Sequence, residues 1–259
     1  MRIDFYKYQG TGNDFIILDN RLGNYTQLSD VEIAFLCDRR FGIGADGLML
    51  LQQKEGYDFE MVYYNADGAE GSMCGNGGRC LVAFAKRMQI ISNSAQFLAA
   101  DGFHEATITD TDWVELKMKD VNTIEKTKDH VILDTGSPHY IKWENDVEHV
   151  DVFSAGRSIR YSPPFSKVGI NVNFVQVLQS HLSVRTYERG VEAETLSCGT
   201  GVTAAAIAAS DEVTGKQIKK VQTPGGELKV KFEKRSDTNF ENIWLCGPAK
   251  FVYAGFLDI

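Results

Sequence analysis

The sequence predicts an α+β protein of two pseudo-symmetric lobes, each with a strand-rich sheet around one long helix. The first observation is that strand-like segments far outnumber helical ones; residues 113–119, for example, alternate apolar and charged side chains as a half-buried strand does. The second is an internal repeat. In each half a strand and a polar loop lead to a Cys-Gly-x-Gly turn, and a helix follows.

The two copies of this repeat have nearly equal spacing. The strand at 59–64 leads to Cys74-Gly75-Asn76-Gly77, and the strand at 182–187 leads to Cys198-Gly199-Thr200-Gly201. A fainter echo relates residues 12–15 to residues 171–174. Two such units, related by a pseudo-twofold axis, would bring the two cysteines face to face. We therefore expect the active site to lie in the cleft between the lobes.

The remaining elements are mostly short strands. Apolar runs bounded by turn residues predict them at 3–8, 15–18, 48–51, 59–64, 96–99, 104–108 and 113–118, and in the second half at 131–134, 140–143, 174–178, 182–187, 219–222, 228–232 and 243–245. A capping box beginning at Ser29 predicts a short helix to about residue 37. Longer helices are predicted at about 78–88 and 202–213.

The boundary between the lobes is expected in the polar stretch near residues 120–130. The N-terminal lobe, with Cys74, then spans residues 1–119, and the C-terminal lobe, with Cys198, spans residues 120–248. The final segment, 249–259, alternates weakly between apolar and polar residues. We expect it to cross back and join the N-terminal lobe.

Composition excludes several classes of function. A net charge of −8 and scattered basic residues argue against nucleic-acid binding. Neither an apolar stretch of about 18 residues nor an apolar leader is found, so we expect a cytoplasmic protein without membrane contact. The five cysteines contain no C-x-x-C pair and the five histidines show no ligand spacing, which argues against disulfides and bound metal.

The Cys-Gly-x-Gly turns point to proton-transfer chemistry. The first turn of a helix has backbone N–H groups without partners and partial positive charge, so a cysteine there ionises more easily than a free thiol. The same N–H groups can hold a carboxylate. Cys74 and Cys198 are therefore predicted to be an acid–base pair acting on a small carbon acid. Cys37, Cys80 and Cys246 are expected to be ordinary buried side chains.

At this point the chain closely resembles the diaminopimelate epimerase family, whose members need no pyridoxal phosphate. The matching segments run from end to end of the chain; they are Gly10–Phe15, Arg40–Gly47, Tyr64–Glu70, Met73–Cys80, Tyr187–Gly190, Ser197–Gly201 and Gln222–Gly226. The resemblance implies a cofactor-independent homodimer that interconverts LL- and meso-diaminopimelate on the route to lysine and the cell wall.

The resemblance also implies roles for individual residues. Gly75, Asn76, Gly199 and Thr200 would hold the carboxylate at the reacting carbon. The residues that would hold the distal end of the substrate are Asn13, Asn65, Asn171 and Arg189. Glu188 would meet an ammonium group and, with His139, tune the two thiols. An arginine suits a distal carboxylate because its fork is bidentate.

Two positions depart from the family pattern. Ser137 stands where the family commonly has Asn in a Gly-Asn-Pro-His segment, and Gly47 stands where some members carry Gln. Both differences affect the contacts expected at the distal end of the substrate, because a serine is shorter than an asparagine and a glycine has no side chain.

Three other functions remain open from the sequence. A proline racemase-like enzyme would also use two cysteines, a redox sensor would cycle Cys74 and Cys198 through a disulfide, and a non-catalytic protein would only bind an amino acid. Residues 42–47 match G-x-G-x-x-G, but a strand is predicted after them where a dinucleotide-binding motif opens a helix.

Overall fold

The structure is a computed structural model that describes residues 1–259. Its helices are α1 (Asp30–Cys37), α2 (Gly75–Arg87), α3 (Val152–Arg160) and α4 (Gly199–Ala208). Its strands are β1 (Arg2–Gly10), β2 (Asn13–Asp19), β3 (Gly47–Gln52), β4 (Phe59–Asn65), β5 (Ser94–Ala99), β6 (Gly102–Ile108), β7 (Trp113–Lys117), β8 (Ile124–Lys126), β9 (His130–Asp134), β10 (Pro138–Trp143), β11 (Asn171–Val177), β12 (Leu182–Glu188), β13 (Ala193–Thr195), β14 (Gly215–Thr223), β15 (Gly226–Lys234), β16 (Phe240–Pro248) and β17 (Lys250–Asp258).

The chain divides into two compact units. Unit 1 comprises Met1–Leu116 together with Gly247–Ile259, and unit 2 comprises Lys117–Cys246. The C-terminal strand β17 belongs to unit 1, where it pairs antiparallel with β1. No helix is long and apolar enough to span a membrane; the longest, α2, has 13 residues.

In unit 1 a mixed sheet surrounds the long helix α2. The strands lie in the order β17, β1, β2, β3, β4, β5, β6, β7, and the pairs β2–β3 and β4–β5 are parallel while the others are antiparallel. Helix α2 packs on β1, β2, β3, β6 and β17 and is buried from Gly75 to Ala85. Fully buried aromatic side chains, among them Phe59, Phe84 and Phe97, fill the space between helix and sheet.

Unit 2 repeats this topology around α4. Its strands β9, β10, β11, β12, β14, β15 and β16 pair in the same order of antiparallel and parallel contacts as β1 to β7. Helix α4 follows β12 as α2 follows β4, and α3 precedes β11 as α1 precedes β3. The predicted α+β class with two pseudo-symmetric lobes is therefore confirmed.

Some sequence-based expectations about single elements were wrong. Helix α4 begins three residues before the predicted start and ends at Ala208 rather than at 213, because Asp211 turns away and its N–H bonds the Gln217 side chain. Helix α3 was not predicted, although Asp151 caps it by accepting from the Ser154 N–H. The stretch expected to be a linker contains β8.

The fainter echo in the sequence was also misleading. It matched residues 12–15 to residues 171–174, but residues 12–15 enter β2 while Asn171 begins β11. By topology β2 corresponds to β10, and β11 corresponds to β3. The structural counterpart of Asn171 is therefore Gly47, the first residue of β3.

Candidate functional site

Cys74 and Cys198 occupy the same structural position in the two units. Each is the N-cap residue of its helix, with nearly equal backbone angles (φ −105°, ψ 121° and φ −109°, ψ 112°). The first hydrogen bonds within the helices run from Gly78 N to Cys74 O and from Val202 N to Cys198 O. The N–H groups of residues 75–77 and 199–201 precede these bonds, and neither first turn holds an acidic side chain. Both helix starts therefore keep a positive field available for an anion.

Polar side chains of unit 1 converge behind Cys74. The Cys74 Sγ lies 3.8 Å from Asn13 Oδ1, which also accepts a hydrogen bond of 3.2 Å from Asn76 Nδ2. Arg79, fully buried one turn along α2, donates to Asn76 Oδ1 over 3.0 Å. Asn13 and Asn76, both predicted as substrate ligands, are thus linked to each other, and Asn13 contacts the thiol.

Asn65 and Gly47 lie opposite each other on paired strands. Asn65 is exposed at the end of β4, where a tight turn bonds its N–H to Ala69 O. A Cβ atom at Gly47 would lie 2.6 Å from the Tyr63 ring, so this position excludes a side chain. Contact with a ligand at Gly47 is therefore limited to its backbone.

In unit 2, His139 is fully buried beside the first turn of α4. Asn173 Nδ2 lies 3.0 Å from His139 Nδ1 and also donates to the Tyr140 carbonyl, while its Oδ1 accepts from Thr186. This amide orientation makes Nδ1 the acceptor and leaves the ring proton on Nε2. His139 Nε2 is buried and has no hydrogen-bond partner. Burial, reinforced by the positive charge of Arg189, lowers the pKa of His139 to about 3, so the ring is neutral near pH 7.

Ser137, Asn171 and Arg189 form a single polar cluster. The Ser137 Oγ accepts from Asn171 Nδ2 at 2.9 Å and from Arg189 Nη2 at 3.3 Å, and Asn171 Oδ1 accepts from the Arg189 N–H. The shorter side chain at position 137 therefore reaches both neighbours. It orients the guanidinium, which also donates to the Val168 carbonyl.

Threonine hydroxyl groups contact the side chains of Glu188 and Cys198. Glu188 Oε2 accepts from Thr195 Oγ1 at 2.9 Å, and Cys198 Sγ lies 3.5 Å from Thr200 Oγ1. The carbonyl of Thr200 accepts from Thr135 Oγ1, which ties the first turn of α4 to the end of β9.

The other cysteines differ from these two. Burial raises the pKa of Cys37 and of Cys80 to about 12 in each case, so both thiols are protonated at neutral pH. Cys246 is buried in β16, and no disulfide joins any of the five cysteines.

Several residues of these clusters were not identified from the sequence. They are Arg79, Thr135, Asn173 and Thr186, together with Asp46, whose Oδ2 accepts from Asn13 Nδ2 at 2.7 Å. Arg79 lies inside a segment that resembles the family, and an arginine five residues after Cys74 was the sequence signal that could have identified it. The structure shows that this arginine is fully buried. Asn173 lies within the faint echo at residues 171–174, and that pattern by itself indicates no chemical role.

Comparison with known proteins supports one family. A model of the diaminopimelate epimerase family matches residues 5–124 and 131–252. A diaminopimelate epimerase of Flavobacterium psychrophilum is 51% identical over 252 residues, covering 96% of this chain and 97% of that protein. One from Chlorobaculum tepidum is 41% identical, covering 96% and 99%.

Solved structures with low sequence identity share the fold. A phenazine biosynthesis protein of the PhzF family from Bacillus anthracis aligns with a TM-score of 0.74 at 15% identity, with both chains covered completely. A hydroxyproline epimerase from Agrobacterium vitis aligns with a TM-score of 0.71 at 12% identity, covering 99% of this chain and 92% of that one. With the family match over nearly the whole length, these findings show that the chain belongs to the diaminopimelate epimerase family.

Proposed function

We propose that the protein is a cofactor-independent epimerase that interconverts LL- and meso-2,6-diaminopimelate. The observation that carries the proposal is the pair of thiols at equivalent helix N-caps, each followed by a glycine-rich turn without acidic residues. The diaminopimelate epimerases of Flavobacterium psychrophilum and Chlorobaculum tepidum, at 51% and 41% identity, further support the proposal. Meso-diaminopimelate is the form used for lysine and for the cell wall.

The proposed mechanism uses two bases. One cysteine, as thiolate, removes the α-proton, and the electron pair left on carbon delocalises into the α-carboxylate. The other cysteine, as thiol, delivers its proton to the opposite face of the same carbon. Each turnover therefore leaves the first cysteine protonated and the second ionised, and the reverse reaction restores the starting state. Such a mechanism requires the two thiols on either side of the substrate carbon.

The two helix starts supply the stabilisation that this mechanism needs. The carboxylate gains negative charge as the proton leaves, and backbone N–H groups of Gly75, Asn76, Gly199 and Thr200 are the proposed donors. Preorganised donors of this kind typically contribute about 3–4 kcal/mol each to the transition state. General acid–base transfer by a positioned group adds about 10²–10⁴-fold in rate.

The distal end of the substrate is assigned to the remaining polar residues. Arg189, oriented by Ser137, is the proposed partner of the distal carboxylate. Asn13, Asn65 and Asn171 are the other proposed ligands of the distal end. Glu188 is the proposed partner of an ammonium group. Because the His139 ring is neutral with a proton on Nε2, its proposed role is to donate a hydrogen bond that favours an anion.

Isotope exchange tests this function. In D₂O the protein without added cofactor should place deuterium at an α-carbon of diaminopimelate, and Cys74→Ala and Cys198→Ala should each abolish epimerisation. Cys37→Ala is the matched control, because its thiol is buried and protonated. Absence of deuterium with the reduced wild-type protein would falsify the proposal. Loss of activity in Cys37→Ala equal to that in the other two variants would remove the special role of the pair.

The cellular setting and assembly are part of the proposal. Five cysteines without a disulfide fit the reducing cytoplasm, where both reactive thiols stay reduced. We propose a homodimer formed through β17, because this outer strand of unit 1 exposes the large apolar side chains Val252, Tyr253 and Phe256. A second copy of the same chain would cover them.

A further inference from the structure

The side chains behind Cys74 form a hydrogen-bonded series with a charged group at each end. Arg79 donates to Asn76 Oδ1 at 3.0 Å, Asn76 Nδ2 donates to Asn13 Oδ1 at 3.2 Å, and Asn13 Nδ2 donates to Asp46 Oδ2 at 2.7 Å. A guanidinium can only donate and a carboxylate can only accept. Both amides are therefore fixed in one orientation, with the Asn13 oxygen toward the thiol.

This orientation has a chemical consequence for Cys74. Its sulfur faces an acceptor, Asn13 Oδ1, at 3.8 Å. A thiol can donate to that oxygen, whereas a thiolate beside it gains nothing from it. Cys198 has a different neighbour, because the Thr200 hydroxyl at 3.5 Å can donate to a thiolate.

We infer that Asp46 is a positioning residue that acts through the Asn13 amide to keep Cys74 protonated in the resting protein. This assigns the waiting acid to Cys74 and the resting thiolate to Cys198. The inference rests on the proposed function and deepens it, since the reaction itself is symmetric between the two thiols.

The Asp46 carboxylate is fixed by several contacts, so it can orient the Asn13 amide. Its Oδ1 accepts from Arg39 Nη2 at 2.7 Å, and its Oδ2 also accepts from the Asp14 N–H at 3.2 Å. The Asp46 N–H in turn donates to the Asp14 carbonyl. The carboxylate is thus anchored by both an ion pair and the backbone, and an amide bonded to it has little freedom to rotate.

The other charged groups of unit 1 near this end of α2 are paired. Arg79 lies on α2 itself. Asp14, on β2, forms ion pairs with Lys7 from β1 and with Arg39 from the loop after α1. Removing the Asp46 charge alone would lower the pKa of a nearby thiol through space, so a test must separate that effect from rotation of the amide.

The test measures how Cys74 reacts with iodoacetamide as a function of pH, in a Cys198→Ala background. Alkylation of the Cys74 peptide is followed by mass spectrometry, which needs no substrate. Asp46→Asn can donate as well as accept, so it removes the carboxylate that fixes the Asn13 NH₂ and leaves only the hydrogen bond from Asn76 to hold the Asn13 oxygen toward the sulfur. We expect the midpoint for Cys74 to fall by at least about half a pH unit.

A double-mutant cycle separates the two effects. In an Asn13→Ala background, Asp46→Asn should shift the midpoint much less than it does with Asn13 present. An equal shift in both backgrounds, or no shift with Asn13 present, would overturn the inference. Asn13→Ser is an independent route that leaves Asp46 in place; its hydroxyl can donate, so it should also lower the midpoint, and an increase would count against the role of the amide.

Failure of the inference and failure of the proposed function give different results. The wild-type epimerase assay tests the function alone, whereas alkylation tests the state of Cys74 whatever the protein catalyses. Asp46→Glu keeps both acceptor oxygens and should restore the wild-type midpoint if the role of Asp46 is to accept from Asn13. A midpoint like that of Asp46→Asn would contradict this role.

Discussion

At the residue scale, the neutral His139 couples folding to pH. Its pKa is about 3 in the folded chain and 6.5 in an unfolded one, so between these values the unfolded chain binds more protons. The stabilisation from this group is complete above pH 6.5 and is lost as the pH falls toward 3. One proton contributes at most about 1.4 kcal/mol per pH unit.

His139→Gln should therefore flatten the decline of unfolding free energy between pH 6.5 and 4.5. Urea denaturation at several pH values measures it. His149→Gln is the control, because that histidine is 83% exposed and pairs only with Asp146. Equal slopes for the two variants would show that His139 is not the group responsible.

Arg189 should contribute to binding rather than to proton transfer. Its guanidinium donates to the Ser137 hydroxyl and to the Val168 carbonyl, and these contacts orient it toward the proposed partner, the distal carboxylate. Removing a charged hydrogen-bond partner costs about 1.5–3 kcal/mol, so Arg189→Ala should raise KM for diaminopimelate about 10- to 100-fold. Arg157→Ala, on the exposed face of α3, should leave KM unchanged. An unchanged KM for Arg189→Ala would remove this residue from the substrate site.

Sequence reasoning at this scale identifies the residues with distinctive chemistry and misses those that only support them. Cys74 and Cys198 stand in a motif whose physical meaning is local, because a helix N-terminus can be recognised in the letters. Asn173 and Thr186 act on His139 only through the pairing of β10, β11 and β12. That juxtaposition depends on tertiary structure, and no local pattern contains it.

At the element scale, the first turns of α2 and α4 share the Cys-Gly-x-Gly pattern but have different surroundings. A Cβ atom at Gly201 would lie 2.3 Å from Asn173 Oδ1, whereas one at Gly77 would meet Met49 Sδ at 3.0 Å and the Met61 methyl group at 3.4 Å. The methionines are flexible, but Asn173 is fixed by Thr186 and Tyr140. Gly77 and Gly201 therefore occupy equivalent positions in their helices but differ in the space available for a side chain.

Gly201→Ala should destabilise the protein by about 1–3 kcal/mol, in spite of the better helix propensity of alanine. Gly77→Ala should cost clearly less, because methionine ends can move aside. Thermal or urea unfolding of the two variants measures the difference. A smaller loss of stability for Gly201→Ala than for Gly77→Ala would mean that Asn173 yields to the new methyl group.

The helices differ in how well their sequences predict them. Helix α1 was predicted from its capping box, and Ser29 and Glu32 form both hydrogen bonds of that motif. Helix α3 has the signals of a helix, because Val152, Ala155 and Ile159 recur at helical spacing after the N-cap residue Asp151, and the sequence-based prediction missed it. The alanine-rich run after Val202 suggested a longer helix than α4, since local propensity does not reveal where a chain must turn into the next strand.

At the scale of the whole molecule, the duplicated strand order could be inferred only in outline. The Cys-Gly-x-Gly repeat marks where β4 and β12 end and their helices begin. It does not give the pairing of β1 with β17, in which Arg2 lies opposite Asp258. Contacts between the two ends of a chain depend on closure of the entire unit, and weak alternation in residues 249–259 was their only trace in the sequence.

Assembly through β17 can be tested at two exposed apolar positions of this strand. Val252 and Phe256 are more than half exposed, and lie four residues apart on an outer strand. The register of β17 against β1 shifts at Lys7/Tyr8, so strict alternation does not hold between the two positions. A lysine at each position puts charge on the exposed apolar side of the strand and would oppose a second copy. The variant Val252→Lys/Phe256→Lys should therefore sediment with the 28.8 kDa mass of one chain, and the wild type with twice that mass.

Val213→Lys provides the control for added charge. Val213 is 74% exposed but lies in unit 2, before β14, so this variant should remain dimeric. A monomeric wild type would contradict the homodimer, and a dimeric double-lysine variant would move the interface away from β17. Because burial between two copies also protects the outer strand β17 from pairing with other chains, the monomeric variant should aggregate at lower temperature than the wild type does.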